Sequence, residues 1–360
     1  MRPPLIIQAA MGSYRDSFLD ELLGQTDVNL AIGDEHFNTG LQTSVFAKDL
    51  RDFRLVNHFL LNRRLMWQRG ALGPGLRACV VVLEYNPRII SNVAIALLRF
   101  LLGRRTVVWG HWSPRSGRDG IHLMPRLALL GLCREFLAYT PVEARIASRH
   151  PLVRNVYLAP NAVMRTDEMR ALPHSSPDEH GIVYVGRIVP DKKVDLLLRA
   201  VPLINESVKV HIVGDGPNLE SLRDDVIRMG VQSRVTFHGR MDSASSLAKV
   251  YEKCILAVQP GYAGLSATQS LGFGVPLLTG DRDPHAPEVS LLKDGFNALR
   301  FESDSPESLA LAVNEFVCNR SGWLERRSAI VDSVRAYSVE QMAQGFVSVL
   351  VGGGPNNWDD

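Results

Sequence analysis

The chain has 360 residues, 46% of them apolar, and its 40 basic and 38 acidic residues leave a net charge of +2. That length suits two to three domains of ordinary size. The longest apolar stretch, residues 93–102, is interrupted by Arg99 and is about half the length that a bilayer span needs, which argues against a transmembrane helix.

Cys79, Cys133, Cys254 and Cys318 lie far apart and show neither disulfide nor metal spacing. The N-terminus has only a short apolar part, soon followed by acids, so a cytoplasmic protein without a signal peptide is expected. Charge is unevenly spread, with a net of +8 over residues 1–160 and −6 over 161–360. No nucleic-acid reading motif is visible, and the acidic second half would repel phosphates.

The first predicted strand covers residues 5–10. Gly12 turns it into a helix near Tyr14, at a place where a glycine lets backbone approach a ligand. Residues 53–83 contain no acid, but they carry Arg54, Arg63, Arg64, Arg69 and Arg77, interleaved with apolar residues such as Phe59, Leu60, Leu61 and Trp67. This basic amphipathic stretch predicts either contact with an anionic membrane surface through 53–77 or a helix packed on its own domain. A buried strand at 78–83 ends at Glu84, and a helix follows over 91–102. Strand 106–109 leads to Gly110-His111-Trp112, and active-site groups of open α/β sheets collect at such strand ends. Strand 136–139, helix 141–149 and strand 155–158 complete a first domain of residues 1–163. The polar, proline-bearing segment 164–180 lacks periodicity and is expected to be the linker.

The second domain, residues 181–337, opens on the most informative stretch. Residues 182–185 are a short β-branched run, Gly186 turns the chain, Arg187 and Lys192 follow, and a helix pattern begins at Val194. Two cations at the C-terminal end of a parallel strand, beside a helix N-terminus, form a site for a diphosphate. A solvated loop is the plainer reading. Strand 208–213 closes on Gly214-Asp215-Gly216, and strand 235–238 runs into Gly239-Arg240-Met241. After strand 254–258, residues 260–283 read as loop, glycine, short helix, Gly274-Val275-Pro276 and strand. A last helix pattern over 338–351 has Ser338 as its N-cap, and the tail 352–360 is expected to be disordered.

In order and wording, residues 180–345 resemble the C-terminal half of retaining, nucleotide-sugar-dependent glycosyltransferases of family 4, also called glycosyl transferases group 1. The resemblance rests on the G-R-x-x-x-x-K pattern formed by Gly186, Arg187 and Lys192, and on a glycine loop and short helix ending in Gly274-Val275-Pro276. It extends more loosely to 107–111 and 157–163. The family's two glutamates, eight residues apart, are replaced by Gly261 and Gln269.

The resemblance implies a GT-B fold, two Rossmann-like α/β domains facing each other across a cleft, with the 338–351 helix crossing back to the first. It implies transfer of a sugar from a nucleotide-diphosphate-sugar to a glycan or lipid-linked acceptor, with retention, in cell-surface polysaccharide, lipopolysaccharide or glycolipid synthesis. His111, Arg187 and Lys192 would be catalytic. Gly12, Gly186, Arg240, Met241, Gly264, Leu265, Ser266 and Gln269 would bind the donor, and Glu84 would touch the acceptor. The nucleotide sugar is a co-substrate, and neither a cofactor nor a metal is implied. Asp281-Arg282-Asp283 is read as a polar loop rather than a metal motif. A non-catalytic sugar-nucleotide-binding protein, favoured by Gly261 and Gln269, and a sugar-nucleotide epimerase remain as alternatives.

Overall fold

The structure, a computed structural model, describes residues 2–37, 40–113, 123–174 and 180–353. The chain divides into two compact units, residues 1–163 with 338–360 and residues 164–337. Residues 354–360, most of the expected tail, lie outside the described residues, as do 175–179 of the expected linker.

In the first unit the strands are β1 (Leu5–Gln8), β2 (Asn29–Ile32), β3 (Phe53–Arg54), β4 (Val56–Leu60), β5 (Leu65–Arg69), β6 (Val81–Glu84), β7 (Thr106–Trp109), β8 (Glu135–Ala138) and β9 (Asn155–Leu158). Seven of them form a wholly parallel sheet in the order β3-β2-β1-β6-β7-β8-β9. The helices are α1 (Asp16–Gln25), α2 (Val45–Leu50), α3 (Leu72–Arg77), α4 (Ile90–Leu101), α5 (Met124–Cys133) and α6 (Pro141–Ser148).

Alternation along the strands sends side chains to two separate cores, as a sheet covered on both faces requires. Ile6, Val82, Val107 and Leu137 join Phe18 and Leu22 of α1 in one core. Ile7, Leu83, Val108 and Phe136 join Ile95 of α4 and Leu129 of α5 in the other.

The stretch 53–69 differs from the helical alternative. β4 and β5 form an antiparallel hairpin in the register His58↔Trp67, and Met66 and Gln68 are buried at alternate positions. Two of its four arginines are occupied. Arg63 lies 3.6 Å from the centre of the Phe59 ring, donates to the Phe37 carbonyl at 2.9 Å and pairs with Glu35 at 3.2 Å. Arg54 pairs with Asp34 at 2.9 Å. A charged, aromatic stretch with the wrong period for a helix has become a hairpin held to its own unit by stacking and ion pairs.

In the second unit the strands are β10 (His180–Val185), β11 (Val208–Val213), β12 (Val235–Gly239), β13 (Cys254–Gln259), β14 (Leu277–Gly280) and β15 (Ala298–Phe301). They are parallel throughout, in the order β12-β11-β10-β13-β14-β15. The helices are α7 (Val194–Ala200), α8 (Leu219–Arg228), α9 (Ala244–Tyr251), α10 (Leu265–Gly272), α11 (Pro306–Cys318), α12 (Arg320–Glu325) and α13 (Arg327–Asp332). Met164, Met169 and Leu172, in the segment read as linker, are buried within this unit, and the Leu172 N–H donates to the Phe273 carbonyl.

The last helix, α14 (Val339–Leu350), belongs to the first unit. The Ser338 hydroxyl accepts the Gln341 N–H as its N-cap. Phe346 places its ring 4.9 Å from Phe18 and 4.8 Å from Trp109, so the helix completes the core over α1. Both units are open, doubly covered parallel α/β sheets, as the fold class of the sequence reading requires.

Candidate active site

In the second unit the loops at the C-terminal strand ends are laced together through backbone. The Gly186 N–H donates to Val213 O, Ile188 N–H to Asp215 O, and Gly214 N–H to Gly239 O, at 2.8–3.0 Å. Gly214 has φ +147°, and a Cβ there would fall 1.8 Å from the Gly186 carbonyl oxygen, so no larger residue fits. These loops carry Gly186 and the exposed Arg187. Lys192 ends the following 3₁₀ turn, and its ammonium donates to the Tyr262 carbonyl at 2.6 Å.

The 261–264 turn is built on that contact. The Tyr262 N–H returns a bond to Asp191 O at 2.9 Å, and a Cβ at Gly261 would lie 2.4 Å from the same carbonyl. Backbone therefore meets backbone where the family pattern has a glutamate, and the glycine follows from packing. His285 holds the other side of the turn. Its Nδ1 accepts the Ala263 N–H at 3.1 Å, while Ala286 N–H donates to Ala263 O at 2.9 Å. With Nδ1 accepting, Nε2 carries the proton and donates to Gly280 O at 3.2 Å. Burial lowers the His285 pKa and keeps the imidazole neutral, as that bond requires.

Helix α10 starts at Leu265 without a side-chain cap, since Gly264 is its N-cap residue. The Ser266 hydroxyl oxygen in its first turn is buried and has no partner within the protein. A helix start without a side-chain cap and an unsatisfied hydroxyl together suit an anionic oxygen. Gln269, one turn on, is half-buried.

Arg240 forks onto both oxygens of Asp242 at 3.0 Å, and Met241 lines a groove of about 510 Å³ with His238, Ser246, Lys249 and Lys253. Behind the groove wall, His211 Nδ1 lies 3.0 Å from His238 Nε2. Burial, with His238 and Lys253 nearby, pushes the His211 pKa down to about 4. Asp283 of the polar loop is occupied, accepting Lys193 Nζ at 2.5 Å and the Ser303 hydroxyl at 2.8 Å. No group of three or more His, Cys, Asp or Glu residues is placed to hold a metal among the described residues.

The first unit gathers a different set at its strand ends. His111 follows β7, with Nδ1 3.5 Å from Glu143 Oε1 and its ring 4.5 Å from Tyr139. Glu143 is buried, accepts the Trp112 N–H at 2.7 Å and the Thr140 hydroxyl at 3.3 Å, and so fixes the His111 loop. Glu84, at the end of β6, accepts His36 Nε2–H at 2.9 Å and Asn86 Nδ2–H at 3.1 Å. Burial opposes both charges, yet the shared bond raises the His36 pKa and lowers that of Glu84. Gly12 precedes the 3₁₀ turn leading into α1, where a Cβ would lie 2.7 Å from Leu41.

Within the second unit, the sequence-expected residues Gly186, Arg187, Lys192, Gly264, Leu265 and Ser266 all sit in strand-end loops or the first turn of α10, whereas Arg240 and Met241 stand at the end of β12. Sequence reasoning missed three residues. Glu143 was signalled by Thr140-Pro141-Val142-Glu143, a capping box whose Thr140 hydroxyl accepts the Glu143 N–H. His36 and His285 carried no signal, because each meets its partner through the fold.

Residues 166–337 match the family described as glycosyl transferases group 1. An uncharacterised glycosyltransferase of Methanocaldococcus jannaschii is 27% identical over a match covering 48% of this chain and 45% of its own length. The D-inositol 3-phosphate glycosyltransferase of Mycobacteroides abscessus is 28% identical, with 48% and 39% covered. The match thus spans less than half the length of these curated relatives. Among solved structures, HepE of Anabaena in complex with UDP superposes with a TM-score of 0.72 at 13% identity, over 97% of this chain and 100% of that one. The apo lipopolysaccharide outer core galactosyltransferase WaaB gives 0.68 at 13% identity, with 97% and 99% covered. The chain therefore has the GT-B fold, and its match to glycosyl transferases group 1 spans residues 166–337.

Proposed function

We propose that this chain is a retaining, metal-independent glycosyltransferase of family 4 that uses a nucleotide-diphosphate-sugar donor. The single observation that carries the reading is the set of strand-end features in the second unit: laced glycine loops, Arg187 and Lys192, and the uncapped start of α10 with the unsatisfied Ser266 hydroxyl. The UDP and UDP-glucose complexes of HepE support UDP as the nucleotide.

In this reading the diphosphate lies against Gly186, Gly264, Leu265 and Ser266, Gln269 bonds the ribose, and Arg240 and Met241 receive the base. As the bond from the sugar's anomeric carbon to the diphosphate breaks, Arg187 and Lys192 stabilise the charge on the leaving group. The acceptor hydroxyl attacks from the same face and passes its proton to a phosphate oxygen, so retention needs no protein nucleophile. His111, oriented by Glu143, bonds the transferred sugar, and Gly12 lets backbone approach it. Glu84 with His36 contacts a glycan or lipid-linked acceptor in cell-surface polysaccharide, lipopolysaccharide or glycolipid synthesis. The protein works in the cytoplasm or on the inner face of its membrane.

A thermal-stabilisation screen of nucleotide sugars tests the donor. A ligand at a hundred times its dissociation constant adds about 2.7 kcal/mol. Stabilisation by no UDP-, GDP- or ADP-sugar overturns the reading. Stabilisation without transfer to any glycan or lipid acceptor favours the non-catalytic binding protein, which the missing carboxylate at Gly261 supports.

A further inference from the structure

The first unit carries an apolar edge that the proposed chemistry does not use. It lies where β7, β8 and β9 begin, at the opposite end of the sheet from His111 and Glu84. The last turn of α4 and the residue after it leave Phe100, Leu101 and Leu102 exposed at 44%, 70% and 60%, with Leu97 at 45% one turn earlier. Arg134, at the C-terminus of α5, stacks its guanidinium 5.7 Å from the Phe100 ring, and its carbonyl accepts the Arg154 N–H at 2.7 Å. Leu152, 39% exposed, closes the edge beside the end of α5. Arg104, Arg134, Arg149 and Arg154 are all exposed around this apolar centre.

Charge selects the partner. Within residues 97–105, 131–135 and 149–155 the sole acid is Glu135, and Arg105 holds it at 2.8 Å. A second copy of this chain would bring like charges together across the same surface. An acid-rich surface that also accepts leucine and phenylalanine side chains is matched on both counts.

We propose that this edge, rather than the stretch 53–77 with its hairpin, docks the protein on an anionic lipid bilayer, with Leu101, Leu102 and Phe100 entering the acyl boundary and the arginines meeting phosphate headgroups. The proposal deepens the membrane-side placement given above and rests on it. Each arginine near an anionic leaflet contributes about a fivefold gain in partitioning, which added salt weakens.

The test is co-sedimentation of the full chain with phosphatidylcholine vesicles containing or lacking phosphatidylglycerol. Leu101→Gln/Leu102→Gln and Arg104→Glu/Arg149→Glu are compared with the hairpin variant Arg64→Glu/Arg69→Glu. Binding that needs phosphatidylglycerol, falls with salt and drops at least tenfold in the two edge variants but not in the hairpin variant is the expected result. Loss in the hairpin variant alone, equal binding to neutral vesicles, or no binding overturns the proposal. So does concentration-dependent self-association, seen by sedimentation velocity, that the edge variants abolish. Thermal unfolding of each variant with and without a stabilising nucleotide sugar shows whether it is folded. It also keeps failure at the membrane separate from failure of the donor site.

Discussion

The two sheets solve the problem of a ligand-facing strand end in opposite ways. In the second unit the loops after β10, β11 and β13 meet through main chain, with Gly214 and Gly261 at positions where a Cβ would strike a carbonyl. In the first unit the ends of β6 and β7 are finished by side chains: Glu84 with His36, and His111 beside Glu143. A main-chain surface presents the same N–H groups whatever the sequence, which suits an invariant diphosphate. A side-chain surface changes with each substitution, which suits acceptors that differ between enzymes.

The largest expected effect comes from removing the two charges the glycine surface carries. Arg187→Ala or Lys192→Ala is expected to lower turnover about a hundredfold at saturating donor, as loss of a preorganised charge contact does. Near-normal turnover in either variant would sink their assignment to the leaving group.

Next is the glycine itself. Gly261→Ala is expected to destabilise the second unit by about 1–3 kcal/mol, because its Cβ has no space against Asp191 O. Gly261→Glu, which supplies the family's usual carboxylate, is expected to share that penalty rather than gain activity. A stable, more active Gly261→Glu enzyme, measured by denaturant unfolding and transfer rate, would show that the turn opens readily.

Gln269→Ala is expected to weaken donor binding by about 1–2 kcal/mol, the cost of a hydrogen bond left unmade, whereas Gln269→Glu is tolerated. Calorimetric titration with UDP separates the outcomes, and unchanged affinity would assign the side chain to packing.

The smallest effect is in pH dependence, where the units are expected to differ in sign. The His36 pKa is raised above its ordinary 6.5, so its stabilisation is full below that value and is lost as pH rises through the folded-state pKa. The His285 pKa is lowered, so its stabilisation is full above 6.5 and is lost as pH falls toward the folded-state pKa. His36→Gln should therefore flatten the alkaline side of a stability profile and His285→Gln the acidic side. The same limb responding to both would contradict one of the two bonds.

Much of this was legible in the sequence because parallel strands buried on both faces are short, continuous apolar runs. Residues 106–109, 155–158 and 208–213 agree with β7, β9 and β11 residue for residue. The hairpin was not legible as such: basic and apolar residues interleave in a way that also suits an amphipathic surface, and Glu35 and Phe37, brought in from a distant loop, fix Arg63. The same limit hid His285, which bonds a backbone N–H 22 residues away in sequence. Gly261 looked like a lost carboxylate, because sequence shows the missing side chain but not the carbonyl of Asp191 that stands in its place.

The position of α14 bears on how the protein is made. Residues 338–350 fill the first unit's core beside Phe18 and Trp109, although they are synthesised after the whole of the second unit. As the chain leaves the ribosome, the N-terminal sheet must wait with part of one apolar face, the part beside α1, uncovered while residues 164–337 emerge and fold. The usual order of N-terminal domain first is therefore reversed at the final step, and the nascent first unit is the species that a chaperone would need to shield.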